Sequence, residues 1–206
     1  MTPLPHVRIA VVYHSGYGHT AKQAEAVASG AIAAGAETLL ISVDDPSPYW
    51  EALESADAII FGCPTYMGSA SGAFKMFMDA SSRHAFAGAK WQDKLAAGFT
   101  NAASRSGDKL VTLQQLSIFA AQHGMNWINL GLPPGHNKST TTENTLNRHG
   151  YFIGAAAQSD ADLSADDGAT EADLDTSAHL GARVARVARQ LAAGRAALAG
   201  ALPLAA

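Results

Sequence analysis

Apolar residues in this chain fall into short unbroken runs separated by longer stretches at helical spacing. The β-branched run over residues 7–13 predicts a strand, and the loop after it carries Gly16 and Gly18. Alanine-rich residues 20–34 predict a helix stopped by Gly35. Residues 38–43 predict a second strand, ended by Asp44, Asp45 and Pro46, and a short helix follows over 49–55. A third strand is predicted over 58–63, broken at Pro64 because proline has no donor for the ladder. A helix over 71–80, a strand over 95–100, a helix over 110–122 and a strand over 126–130 complete the alternation. Near-continuous apolar strands alternating with helices indicate a parallel sheet covered on both faces and built from right-handed βαβ units. Five such strands suit an α/β doubly wound fold of order 2-1-3-4-5.

The pattern then breaks. Residues 132–170 are rich in Gly, Asn, Thr, Ser and Asp, and only Tyr151-Phe152-Ile153 suits a buried strand. A loop of that length is functional or disordered. Helical spacing returns over 174–200, with Val184, Val187, Leu191 and Leu198 as a sparse stripe and Arg183, Arg186, Arg189 and Arg195 expected on a solvated face. A single domain is expected over residues 1–206, with its core over 7–131.

Composition narrows the function. With 206 residues, 48% of them hydrophobic and 16% charged, the chain suits one soluble α/β domain. The net charge of −4 offers neither the basic surplus expected for nucleic acid nor a strong acidic field for a basic partner. Cys63, the single cysteine, cannot form an internal disulfide. No basic leader precedes residue 7, and the apolar tail over 198–206 is far below the roughly 20 residues needed to span a bilayer. These features predict a cytoplasmic protein without a membrane segment. His136, His149 and His179 lack metal-ligand spacing, so no metal site is expected.

Candidate chemistry lies in three loops after strands one, three and four. Ser15-Gly16-Tyr17-Gly18-His19-Thr20 precedes a helix, whose N-terminus offers unpaired N–H donors to an anion. Gly16 and Gly18 let several amides turn inward, Ser15 and Thr20 add hydroxyls, and no cation is present. A P-loop is excluded by the absence of Gly-Lys-Ser/Thr. A dinucleotide turn stays open, because Gly16-x-Gly18-x-x-Ala21 and Asp44 fit it, as does an ordinary turn capped by Ser15 or Thr20. The second loop, running from Pro64-Thr65-Tyr66-Met67-Gly68 on to Gly72, and the third, running from Thr100-Asn101-Ala102-Ala103-Ser104 on to Gly107, reach the same crevice at the carboxyl ends of the strands.

The segments VVYHSGYGHT (11–20), IIFGCPTYMGSASGAFKMFMD (59–79), KLAAGFTNAAS (94–104) and AAQHGMNWINLG (120–131) resemble the flavodoxin-like superfamily, and within it the WrbA-like NAD(P)H:quinone oxidoreductases. That resemblance implies a flavodoxin-like fold and FMN held by residues 15–20, by Pro64 to Gly68, by the loop of Thr100 to Ser104, and by His123. It places Tyr17 toward the nicotinamide of NAD(P)H and Phe86 at the substrate slot. The chemistry would occur at flavin N5 with no catalytic side chain, electrons would pass to a quinone-like acceptor, and the chain would form a homo-oligomer, a dimer or tetramer. By the same resemblance the segment over 132–167 covers the flavin of a neighbouring subunit. A flavodoxin-type carrier of single electrons is the alternative, and a Rossmann-type dehydrogenase a further one. The chain departs from the family pattern in a short connection over 44–57, in Tyr66-Met67 where Arg-Phe is usual, and in Phe86 where tryptophan is usual.

Overall fold

A computed structural model describes residues 5–44 and 49–201. The turn residues Asp45 and Pro46 and the apolar tail after Ala201 lie outside the described residues. The order is β1 (Arg8–Tyr13), α1 (His19–Ala33), β2 (Glu37–Ser42), α2 (Tyr49–Ser55), β3 (Ala58–Tyr66), β4 (Ser69–Ala70) and α3 (Gly72–His84). There follow β5 (Leu95–Ala102), α4 (Lys109–Gln122), β6 (Asn126–Trp127), β7 (Ala155–Gln158), α5 (Ala165–Gly168) and α6 (Glu171–Ala201). The parallel strands run β2-β1-β3-β5, with β6 and β7 both beside β5. This is the doubly wound order expected from the sequence.

Alternate residues of each central strand serve opposite faces. Ile9, Val11 and Ile60 pack toward α1 and α6, with Val27, Leu180 and Val184. Ala10, Val12, Ile59 and Phe61 face Leu53, Phe74, Trp91 and Phe119 on the other side. Burial on both faces explains why these strands read as unbroken apolar runs. Helices α1 and α6 meet backbone to backbone: a Cβ at Gly30 would overlap the Ala178 carbonyl, and one at Gly181 the Val27 carbonyl. Among the described residues no helix is long and apolar enough to cross a membrane.

Four expectations need correction. β3 does not stop before Pro64 but continues through it to Tyr66. Gly62 turns its carbonyl toward β1, where His14 N–H donates to it at 3.0 Å. Pro64, two residues on, faces the same side beyond the end of β1, so its missing donor costs no ladder bond. The fifth strand is split: β6 pairs with the start of β5, Leu95 opposite Asn126, and β7 with its end, Phe99 opposite Ala155. Residues 151–153 are not a strand, and Phe152 is exposed. Instead they close the excursion between β6 and β7, with Trp127 Nε1 donating to the Ile153 carbonyl at 2.8 Å and Leu130 N–H to that of Phe152 at 3.0 Å. Finally, the arginines of α6 are not all solvated. Arg183 and Arg189 are half-buried, and Arg183 donates to the Asn129 carbonyl at 2.9 Å, whereas Arg186 and Arg195 are exposed as expected.

Candidate functional site

The three predicted loops converge on one cavity of about 640 Å³ at the carboxyl edge of the sheet. That volume lies within the range of small-molecule sites, roughly 300–1,000 Å³. Ser15, Tyr17, His19 and Thr20 line it from the first loop, the stretch from Pro64 to Gly68 from the second, and Asn101 to Ser104 from the third.

At the first loop, Gly18 has φ 86°, a left-handed conformation that side chains resist. Ser15 Oγ accepts the Ala21 N–H at 3.1 Å. The amides of Gly18, His19 and Thr20 have no acceptor among the described residues, and no acidic residue stands in the first turn of α1. Unpaired donors at a helix start, with no lysine or arginine among the described residues of the cavity wall, fit the phosphate end of a mononucleotide. Gly16 lies behind this wall. Its amide hydrogen-bonds the Tyr66 hydroxyl, and a Cβ there would come within 2.7 Å of that oxygen. Burial, then the nearby Tyr17, raises the Tyr66 phenol above its ordinary pKa, only partly offset by the Gly16 N–H.

The second loop is a tight hairpin between β3 and β4, pairing Thr65 with Ala70 and Tyr66 with Ser69. Its central residues, Met67 and Gly68, have φ of 49° and 76°. Both positive values match the turn type that suits strand twist, but methionine is an unusual occupant. The Met67 side chain is fully exposed, and Tyr17 is 81% exposed with its ring 6.3 Å from that of Tyr66 in an edge contact. Gln115 of α4 fixes the hairpin by accepting the Ala70 N–H at 2.8 Å.

Beneath the cavity, Thr65 Oγ1 lies 2.9 Å from Thr100 Oγ1 and 2.7 Å from Thr112 Oγ1, and Thr100 donates to the Cys63 carbonyl at 2.7 Å. Thr100 therefore supports the site from below and does not line it. Burial pushes the Cys63 thiol up to about 12, which makes it an inert core residue.

The third wall includes residues that sequence reasoning missed. Gly107, the last residue of the predicted third loop, lines the cavity as expected, and Asp108, Ser159 and Ala161 line it as well, unforeseen. Ser159 arrives with β7 and accepts Asn101 Nδ2 at 2.9 Å. Ala155-Ala156-Ala157 carries no β-branched signal, so nothing local marked this strand. The third loop is tied to the excursion by the Arg105–Glu143 ion pair and by Tyr151 Oη donating to the Ser106 carbonyl at 3.0 Å. Glu143 also meets Arg148, and these two arginines, Arg105 first, hold its carboxyl down to about 2. Arg148 and His149 in turn grip Asp173 of α6, at 2.8 and 3.2 Å.

His123 and Phe86 lie elsewhere. Both line a second cavity, of about 670 Å³, between α3 and α4. His123 is buried, its Nε2 is 2.9 Å from Ser81 Oγ, and its ring meets that of Phe86 at 5.9 Å. Burial lowers its pKa, favouring the neutral ring. Within one copy of the chain neither residue reaches the phosphate cradle. Among the described residues, no group of three or more His, Cys, Asp or Glu is placed to hold a metal ion.

Sheet order, crevice and cradle together define a flavodoxin-like, FMN-binding protein. Residues 7–133 match the NADPH-dependent FMN reductase family, to which the chain belongs; FMN as cofactor and NAD(P)H as donor accord with that membership. The chain is 44% identical over 188 residues to the flavodoxin FldP of Pseudomonas aeruginosa, covering 89% of this chain and 98% of that protein. It is 33% identical over 207 residues to an NAD(P)H dehydrogenase (quinone) of Archaeoglobus fulgidus, covering 89% and 98%. Among solved structures, a WrbA-like flavodoxin from Agrobacterium tumefaciens superposes with a TM-score of 0.71 at 46% identity, covering 89% and 98%.

Proposed function

We propose that this chain is an FMN-dependent NAD(P)H oxidoreductase that passes two electrons to quinone-like acceptors in the cytoplasm. The observation that carries the reading is the open mouth beside an anion cradle, where Tyr17 and Met67 are exposed and leave room for a planar reactant. In this scheme NAD(P)H gives up a hydride, the quinone gains two electrons and two protons, and the second proton comes from solvent. FMN, when bound, would supply the redox chemistry. The protein's part is binding and orientation: the first-loop amides and Ser15 would hold the phosphate end, and the backbone of Thr65 to Gly68 and of Asn101 to Ser104 would hold the rest of the cofactor. No side chain has to move a proton. The chain assembles as a dimer or tetramer, a reading supported by exposed Phe86 and Ile118 around the second cavity. Sedimentation as a monomer would count against that assembly.

A second reading, an FMN carrier that exchanges electrons with protein partners, is favoured by the 44% identity to a protein named flavodoxin. Steady-state NAD(P)H oxidation with benzoquinone, on protein purified with excess FMN, separates the two. Many turnovers per flavin support the oxidoreductase, and near-zero turnover by a yellow, FMN-loaded protein supports the carrier. A protein that retains no FMN sinks both.

A further inference from the structure

Lys109 opens α4 directly after the cavity residues Gly107 and Asp108, yet it is fully buried. Among the described residues its ammonium makes one hydrogen bond, Nζ to the Ala157 carbonyl at 2.9 Å. Ala157 stands opposite Asn101 in the β5–β7 register, and Asn101 holds Ser159, so the three groups form and underlie one patch of cavity floor. Arg105 of the third loop and Arg148 of the excursion are the other cations near Lys109, and Asp173 of α6 is the facing carboxylate. Asp173 is already engaged by Arg148, His149 and the Gln158 N–H. Glu143 is engaged by Arg105 and Arg148, and Asp108 is exposed at the mouth, where water screens it. The buried charge is therefore left with a positive surplus. Holding a carbonyl does not require that arrangement, since an unpaired buried ammonium opposes folding. It does have a use beneath a cofactor that gains negative charge on reduction, because buried charge acts across a low-dielectric floor.

We propose that Lys109 is an electrostatic positioning residue of the cofactor site, whose ammonium under the Asn101–Ser159 floor favours the reduced form of bound FMN and so sets its midpoint potential. The proposal rests on FMN occupying this cavity. Burial lowers the Lys109 pKa to about 8, with Asp173 opposing and Arg148 and Arg105 reinforcing the shift, so its charge can be titrated away within an accessible pH range.

The test is spectroelectrochemical titration of FMN-loaded wild type, Lys109→Met and Lys109→Arg. Lys109→Met is expected to weaken the preference for reduced over oxidised FMN about tenfold, moving a two-electron potential about 30 mV more negative. Lys109→Arg should stay near wild type. In the wild type the potential should fall more steeply with pH above about 8 than below it, because reduction then recruits a proton to Lys109; this arm requires no variant to fold. Equal potentials in wild type and Lys109→Met, or no steepening in the wild-type profile, would overturn the proposal and leave Lys109 as a pin for β7. Wild type that binds no FMN would instead refute the cofactor site itself.

Discussion

The two ends of the cavity are built by opposite means. The cradle at residues 15–20 is made within one short stretch of chain, by the left-handed Gly18, the close-packed Gly16 and the Ser15 cap. The wall at residues 101–108 is held by side chains that arrive from far along the sequence: Glu143, Tyr151, Ser159 and, behind them, Arg148 and Asp173. A backbone-built site depends on which residues permit a conformation, whereas a side-chain-built wall depends on charges finding distant partners. Substitutions should therefore harm the first by geometry and the second by loss of partners.

The largest effect is expected at Asp173→Asn. Asp173 is 1% exposed and accepts from Arg148, His149 and the Gln158 N–H, so its loss strips three donors of a charged partner. Breaking a buried pair from one side costs about 3–5 kcal/mol, and the lower end applies here because Arg148 keeps Glu143. Urea denaturation should show the loss. Burial alone would raise the Asp173 pKa, but the hydrogen bonds from Arg148, His149 and Gln158 outweigh it and hold the group well below its ordinary 3.8. The unfolded chain then binds the proton first, so this stabilisation is complete above that ordinary value and disappears as pH falls toward the depressed one. Asp173→Asn should have a flatter stability profile below pH 4 than wild type; parallel profiles would mean the clamp is not electrostatic.

Gly18→Val should break the other end. A side chain at φ 86° costs about 1–2 kcal/mol, and its Cβ would lie 2.7 Å from that of Ala165. Since the same residue shapes the donor nest, FMN affinity measured by fluorescence quenching should fall by more than tenfold while the far-UV spectrum stays native. Wild-type affinity in this variant would mean that the first loop does not hold the phosphate.

That contrast also separates what the chain reveals in its sequence from what it conceals. Four of the five predicted strand positions and the first-loop donors follow from local cues: β-branched runs, paired glycines and a hydroxyl before a helix. The split fifth position was hidden for a physical reason. β7 is a run of three alanines and a glutamine with no β-branched side chain, and it follows Gly154, where a Cβ would overlap the Gly98 carbonyl of β5. Such small residues lack the β-branched pattern that announces a strand. Lys109 was equally silent, because a lysine at the start of a helix reads as solvated until tertiary structure closes over it.

Tyr151→Phe is expected to have a smaller effect on the side-chain-built wall. It deletes one hydrogen bond, Oη to the Ser106 carbonyl at 3.0 Å, worth about 1 kcal/mol. The Arg105–Glu143 pair remains, so the loop should loosen without detaching. A two- to five-fold weaker FMN affinity and faster hydrogen exchange confined to residues 104–108 are expected. Unchanged exchange there would show that the excursion does not brace the site.

The smallest expected effect has the opposite sign and tests the backbone-built side. Met67 holds φ 49° in the hairpin turn while its side chain, fully exposed, makes no compensating burial. Asparagine tolerates that conformation better, so Met67→Asn should stabilise the protein by about 0.5–1 kcal/mol in thermal or urea unfolding. Strain of this kind is retained in proteins where the residue serves a site. The methionine stands at the cavity mouth, where a flexible thioether can lie against a flat ring. The gain in stability should therefore come with a modest loss of FMN affinity. If Met67→Asn is more stable and binds FMN as tightly as wild type, the strain has no role in binding, and the second loop contributes its backbone alone.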